Sequence, residues 1–154
     1  MNQIFVADAN FLLRLIQPKH PLHAVALAAA QELIKRSDRV VMAPQTLFEV
    51  YAVATRPATS RDGLGLSPGD AKLLLDGFRN TYRLLDERPL FAQWERLVTT
   101  YNTSGVVSHD TRYIALMLEH GLTHILTFND ADFSRYTPEG ISVVNPASIT
   151  PVAP

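Results

Sequence analysis

The sequence predicts an α/β domain built around a mostly parallel sheet. Short apolar runs recur along the chain, among them "QIFVA" at 3–7, "RVVMA" at 39–43, "THILTF" at 123–128 and "ISVVNP" at 141–146. Between them lie longer stretches whose apolar residues return every three or four positions, the spacing of a helix face. Strands that alternate with helices imply parallel pairing, because a parallel neighbour is reached only through a long crossover. The 154 residues suit one domain, 1–154. A chain of this size buries roughly 68–70% of its unfolded surface, enough to fold without staples.

The elements follow in order. After the first strand, residues 9–16 make a short helix. A longer helix spans 22–37, with Leu22, Val25, Ala26, Ala29, Leu33 and Ile34 on one face. The second strand is followed by "PQTLFEVYAVAT" at 44–55, whose proline suits a first helical turn. "RPATSRDGLGL" at 56–66 is a loop, rich in Gly, Pro and Arg. Ser67 then caps a helix with Pro68 at its first position and Asp70 at its third. "YRLLDE" at 82–87 is a strand and 89–101 a helix. "SHDTRYIALMLEHG" starts a helix on a Ser/Asp cap and stops it at Gly121.

Composition narrows the function. Lys plus Arg is 14 and Asp plus Glu is 15, a formal net charge of -1. No basic stripe of the kind that marks many nucleic-acid binders is visible. Such a role would need a local arrangement, or metal ions that reverse the sign of an acidic pocket. There is no cysteine, so disulfides and thiolate metal sites are excluded, and a reducing compartment fits. The start of the chain does not read as a signal peptide, and "AVALAAA" at 24–30 is far too short to cross a bilayer. The expectation is a cytoplasmic protein with no membrane association.

Open α/β sheets bind ligands beyond the carboxyl ends of their strands, and Asp8 sits at such an end. Glu49 lies within the first two turns of the helix leaving strand two. Asp110 stands at the start of the helix before strand four, and "NDAD" at 129–132 follows that strand. Taken singly, Asp8 and Asp110 read as helix caps and "NDAD" as a turn. Glu49 resists such a reading. It is the only charge between Ala43 and Thr55, and a lone carboxylate on a nearly apolar helix must be protonated, paired or metal-bound unless it faces solvent. Several carboxylates at one sheet edge repel each other, and a hard cation relieves this. Oxygen ligands without thiolate or imidazole suit Mg2+ or Mn2+. Such an ion can activate water and neutralise the charge developing on a phosphodiester.

These stretches resemble a known family. "FVADANFLLRLI" is similar to the first motif of PIN-domain ribonucleases, and "SHDTRYIALMLEHGLTHILTFNDADF" to their third and fourth. Glu49 falls where the family carries its second acid. The small size and the final "VVNP" resemble the VapC toxins of type II toxin–antitoxin systems. The resemblance runs from residue 4 to about 146 and is most specific over 106–133. It implies a three-layer PIN-like fold with strand order 3-2-1-4-5. It implies a Mg2+-dependent endoribonuclease, a cognate VapB-like antitoxin and a homodimer. Asp8 and Asp110 would be the principal metal ligands, with Glu49 assisting. Asn10 would hold Asp8, and Thr127 would hydrogen-bond nearby. The fourth acidic position carries Asn129, which offers an oxygen but no charge; Asp132, three residues on, is the candidate to supply it.

The remaining polar residues say less. The five histidines show no metal-ligand spacing. Arg14 and Arg112, with Arg56 and Arg61, are candidates to line an RNA path. Phe48 and Tyr51 are expected in the core or an interface rather than as base-stacking platforms. Two rivals stand beside the nuclease. One is a catalytically weak PIN-like RNA-binding or assembly module, favoured by the neutral Asn129. The other is a phosphohydrolase or receiver-like domain using Asp8 as phosphate acceptor. It lacks the lysine it would need after "HILTF".

Overall fold

The computed structural model describes residues 2–151. Five parallel strands form one sheet in the order β3-β2-β1-β4-β5. They are β1 (Ile4–Ala7), β2 (Arg39–Met42), β3 (Arg83–Leu84), β4 (His124–Leu126) and β5 (Ser142–Val144). The helices are α1 (Ala9–Leu15), α2 (His23–Lys35), α3 (Pro44–Thr55), α4 (Pro68–Thr81), α5 (Phe91–Thr100), α6 (Val107–Glu119) and the short α7 (Asp130–Phe133).

The strands alternate between two cores, as period-two side chains must. Phe5, Ala7, Met42 and Leu126 face one core with Leu12, Leu33 and Val50. Val6, Val41 and Ile125 face the other, with Ile114, Met117 and Tyr136. Helices thus cover both faces, the three-layer arrangement expected from the sequence.

Three expectations need correcting. The third strand is two residues long, not the six of 82–87. Leu85 N–H still donates to Met42 O at 2.8 Å, but Asp86, Glu87 and Pro89 follow on the sheet edge. Short, charged edges of this kind resist further pairing. The helix carrying Asp110 begins at Val107 with Val106 as its cap residue. Asp110 therefore lies inside the first turn and is not the cap; Ser108 Oγ instead donates to Gly105 O at 2.7 Å. Finally, Phe48 is 58% and Tyr51 37% exposed, which removes the core half of their reading and leaves the interface half. The face of α3 turned to the sheet is Leu47, Val50 and Ala54.

Other local signals hold. Ser67 Oγ accepts the Asp70 N–H at 3.1 Å, as an N-cap serine should. Gly121 takes φ +66° after α6, a conformation glycine adopts without strain.

Candidate active site

The strand geometry brings Asp8 to the carboxyl edge of the sheet, between its two neighbours. Asp8 N–H donates to Leu126 O at 3.0 Å, which extends the β1–β4 ladder by one residue. The side chain is 7% exposed. Asp8 stands at the N-cap position of α1, but its side chain makes no cap hydrogen bond to the helix. Two polar side chains instead grip one oxygen. Thr127 Oγ1–H donates to Asp8 Oδ2 at 2.7 Å, and Asn10 Nδ2 donates to the same atom at 2.9 Å. Asn10 also donates to Thr127 Oγ1 at 3.1 Å and accepts Phe128 N–H on its Oδ1 at 3.1 Å. Asparagine follows Asp8 by two residues because only a side chain with both donor and acceptor can tie the strand-one turn to the strand-four turn. Asn10 and Thr127, expected beside Asp8 from the sequence, thus both donate to its Oδ2.

Thr46 fastens α3 to the same edge. Its hydroxyl donates to Ala7 O at 2.9 Å and accepts Ala43 N–H at 3.2 Å. One turn on, Glu49 is half-buried and both its oxygens are engaged. Gln45 Nε2 donates to Oε1 at 2.7 Å, and Tyr113 Oη–H donates to Oε2 at 3.2 Å. Gln45 Nε2 also donates to His109 O at 2.8 Å, in the first turn of α6. A single amide therefore links Glu49 to the turn that carries Asp110. Neither Gln45 nor Tyr113 was singled out in the sequence. Gln45 lies one turn from Glu49 in α3, but the contacts Gln45–His109 and Tyr113–Glu49 span 64 positions, and no local signal reveals that α3 and α6 meet.

The electrostatics give the site its character. Burial raises the Asp8 carboxyl from 3.8 to about 7, with the Glu49 and Asp110 charges adding and the Thr127 hydrogen bond opposing. Asp110 rises to about 6, from burial first and then the Glu49 and Asp132 charges; Arg135 and His109 partly offset this. Tyr113 is 1% exposed. Burial, then the Asp8 and Glu49 charges, hold its phenol well above the usual range, so it remains a neutral donor. Among the described residues, no lysine or arginine forms an ion pair with Asp8, Glu49 or Asp110. The acids feel each other, and Arg135 offsets this only in part and without forming an ion pair.

That donor set fits a hard divalent cation. Among the described residues, no group of three or more His, Asp or Glu side chains stands where it could hold a metal ion together. Mg2+ does not require one, since it keeps several waters and binds through one or two carboxylates.

The other named residues lie around this centre. Asn129 is exposed; its N–H donates to Thr127 Oγ1 at 2.9 Å and its Nδ2 to Asp132 Oδ2 at 2.6 Å. Asn129 thus holds Asp132, and the charge of Asp132 reaches Asp110. If this charge serves the site, Asp132→Asn lowers cleavage about tenfold or more, one such loss being worth about 1.4 kcal/mol; activity equal to wild type would make Asp132 a turn residue only. Arg14 is half-buried and donates to Gln17 Oε1. Arg112 pairs with Glu87 at 3.2 Å. Arg135, which the sequence reading passed over, donates from Nε to Asp132 O at 3.1 Å and lies within the field of Asp110.

The PIN domain family model matches residues 5–137. The chain belongs to the PIN domain family. No curated protein sequence matches this PIN domain. Its fold is similar to the crystal structure of FitAcB from Neisseria gonorrhoeae, with a TM-score of 0.63 and 18% identity over 95% of this chain and 99% of that one. No helix among the described residues of the PIN domain is long and apolar enough to cross a membrane.

Tyr113 offers a test of how Glu49 is held. Tyr113→Phe removes one donor from a half-buried carboxylate, a change that costs about 1–3 kcal/mol when a buried polar group loses its partner. The melting temperature should fall by several degrees, since about 1 kcal/mol shifts a domain of this size by roughly 2–4 °C. An unchanged melting curve would mean the phenol does not hold Glu49.

Proposed function

We propose that this protein is a Mg2+- or Mn2+-dependent endoribonuclease, the toxin component of a type II toxin–antitoxin pair. The observation that carries the reading is Asp8: a buried carboxylate, oriented by Thr127 and Asn10, raised to about 7 and without a cationic partner among the described residues. Burying a charge without a counter-ion is costly, and an oxygen-rich edge of this kind is relieved by a hard cation.

Asp8 and Asp110 would hold the ion, with Glu49 beside them. When bound, such an ion supplies an activated water and offsets the charge that develops on a phosphodiester. The remaining roles fall to the chain itself. Thr127 and Asn10 fix the carboxylate plane of Asp8. Gln45 and Tyr113 fix Glu49 and set its distance from the α6 turn. Asn129 leaves the fourth position neutral and positions Asp132. Arg14 and Arg112 are assigned to the RNA path, together with Arg135. The toxin reading rests on the likeness of the motifs to VapC proteins, and the 95% and 99% mutual coverage with FitAcB is compatible with a one-domain chain. A VapB-like antitoxin, a homodimer and a cytoplasmic site of action belong to the same reading.

The test is cleavage of a structured RNA. Cleavage is expected with Mg2+ or Mn2+, none with EDTA, and no recovery with Ca2+, which prefers larger and looser coordination. Undiminished cleavage in excess EDTA would overturn the metal-dependent reading.

A further inference from the structure

The edge of the sheet opposite Asp8 holds a second feature, independent of the nuclease reading. A cavity of about 450 Å³ opens where the strands begin, between the C-terminal end of α2 and the chain after α6. That volume is within the range of pockets that take small organic ligands.

The strand register decides its character. Val41 pairs with Arg83 in the parallel β2–β3 ladder, so their side chains leave the same face. Arg39 precedes Val41 by two and Leu85 follows Arg83 by two, so all four share that face. Val41 is 4% and Leu85 7% exposed; both belong to the core behind the sheet. Arg39 and Arg83 continue the same apolar rows to the cavity mouth. Their Cα atoms lie roughly 8 Å apart, one strand over and two residues along. Guanidinium stems this placed cover apolar surface while their heads reach water.

The floor on this face is apolar, with Ile4, the register partner of Arg39, and Leu122 among its residues; Leu33 and Ile34 of α2 line the cavity from the other side of the sheet. Ile34 is 72% exposed, an unusual position for isoleucine at a cavity rim. Of the other polar groups of the lining, Asp38 Oδ1 accepts the Gln3 N–H at 2.9 Å, Thr81 Oγ1 donates to Gly77 O at 2.9 Å and His120 Nε2 pairs with Asp86 O at 2.8 Å. Neither Arg39 nor Arg83 has a side-chain partner among the described residues.

The geometry points to a binding site for an amphipathic anion: an apolar body seated on Ile4, Val41, Leu85 and Leu122, with one carboxylate or phosphate head held by Arg39 and Arg83. Guanidinium groups suit both heads because their donors can meet two oxygens at once.

Isothermal calorimetry on the full chain tests this with octanoate, octyl phosphate and octanol. At least one anion binds saturably and about tenfold or more tighter than octanol, as charge-assisted hydrogen bonds predict. The anion that binds tighter identifies the head. The Arg39→Gln/Arg83→Gln variant loses about tenfold or more for the anions and leaves octanol unchanged. Arg61→Gln, whose side chain is 97% exposed and outside the cavity, binds as wild type. A second measurement needs no variant: roughly tenfold higher salt weakens the anions on wild type and not octanol. Equal binding of anion and alcohol, an anion affinity indifferent to both arginines and to salt, or no saturable binding by any of the three overturns the proposal.

Discussion

Asp8→Asn is expected to abolish metal-dependent RNA cleavage and, in the metal-free protein, to raise the melting temperature. The two effects have one origin. Moving the Asp8 carboxyl from 3.8 to about 7 means that its ionised form is disfavoured at neutral pH by on the order of 4 kcal/mol relative to the unfolded chain. Asparagine keeps the shape and still accepts from Thr127 and Asn10, but brings no charge. Recovering even 1–2 kcal/mol raises the melting temperature by about 2–8 °C. A helix cap would behave otherwise, since asparagine caps about as well as aspartate. Scanning fluorimetry in EDTA at pH 8 checks the shift. A melting temperature equal to wild type would show that the ionised carboxylate carries no strain.

The second large effect is a reversal of pH dependence by metal. Asp8 and Asp110 have folded values of about 7 and about 6 against 3.8 for the ordinary carboxyl. Between these limits the native state binds more protons than the unfolded chain, so stability falls as pH rises. Their contribution is fully present below about 3.8 and lost as pH climbs through about 6 and about 7. The metal-free protein should therefore melt several degrees higher at pH 5 than at pH 8. Ions bind the deprotonated acids, so affinity rises over the same window. At about 100 times its Kd a ligand adds roughly 2.7 kcal/mol, and Mn2+ should flatten or invert the trend. Asp8→Asn should remove most of it. Metal-free melting temperatures that climb steadily from pH 5 to pH 8 in the wild type, and equally in Asp8→Asn, would contradict these assignments.

Much of this arrangement is legible in the sequence because its signals are local. Strand one ends on Asp8, and Asn10 follows two residues later; the structure joins them through Asp8 Oδ2. Thr127 closes strand four at the matching level of the ladder, so it reaches the same oxygen. What escaped depends on packing between distant elements. Gln45 reaches Glu49 within α3, but Tyr113 meets Glu49, and Gln45 meets His109, only because α3 and α6 converge at the sheet edge. The start of α6 was misplaced because "SHD" carries the chemistry of a cap, whereas the helix begins a residue earlier at Val107, with Val106 as its cap residue. Strand three is shorter than its apolar run suggests, because Leu84 and Leu85 precede charges that a sheet edge tolerates only by ending. Arg39 and Arg83 look like ordinary surface cations until the β2–β3 register puts them on one face.

The central claim is that Asp8 and Asp110 together make a divalent-cation site used for cleavage, rather than a neutralised remnant in an RNA-binding module. Calorimetric titration of Mn2+ into the wild type, Asp8→Asn and Asp110→Asn at pH 7.5 tests it most directly. The account predicts one saturable binding event in the wild type, weakened at least about tenfold, or 1.4 kcal/mol, in each variant. Wild-type affinity retained in both variants would contradict it.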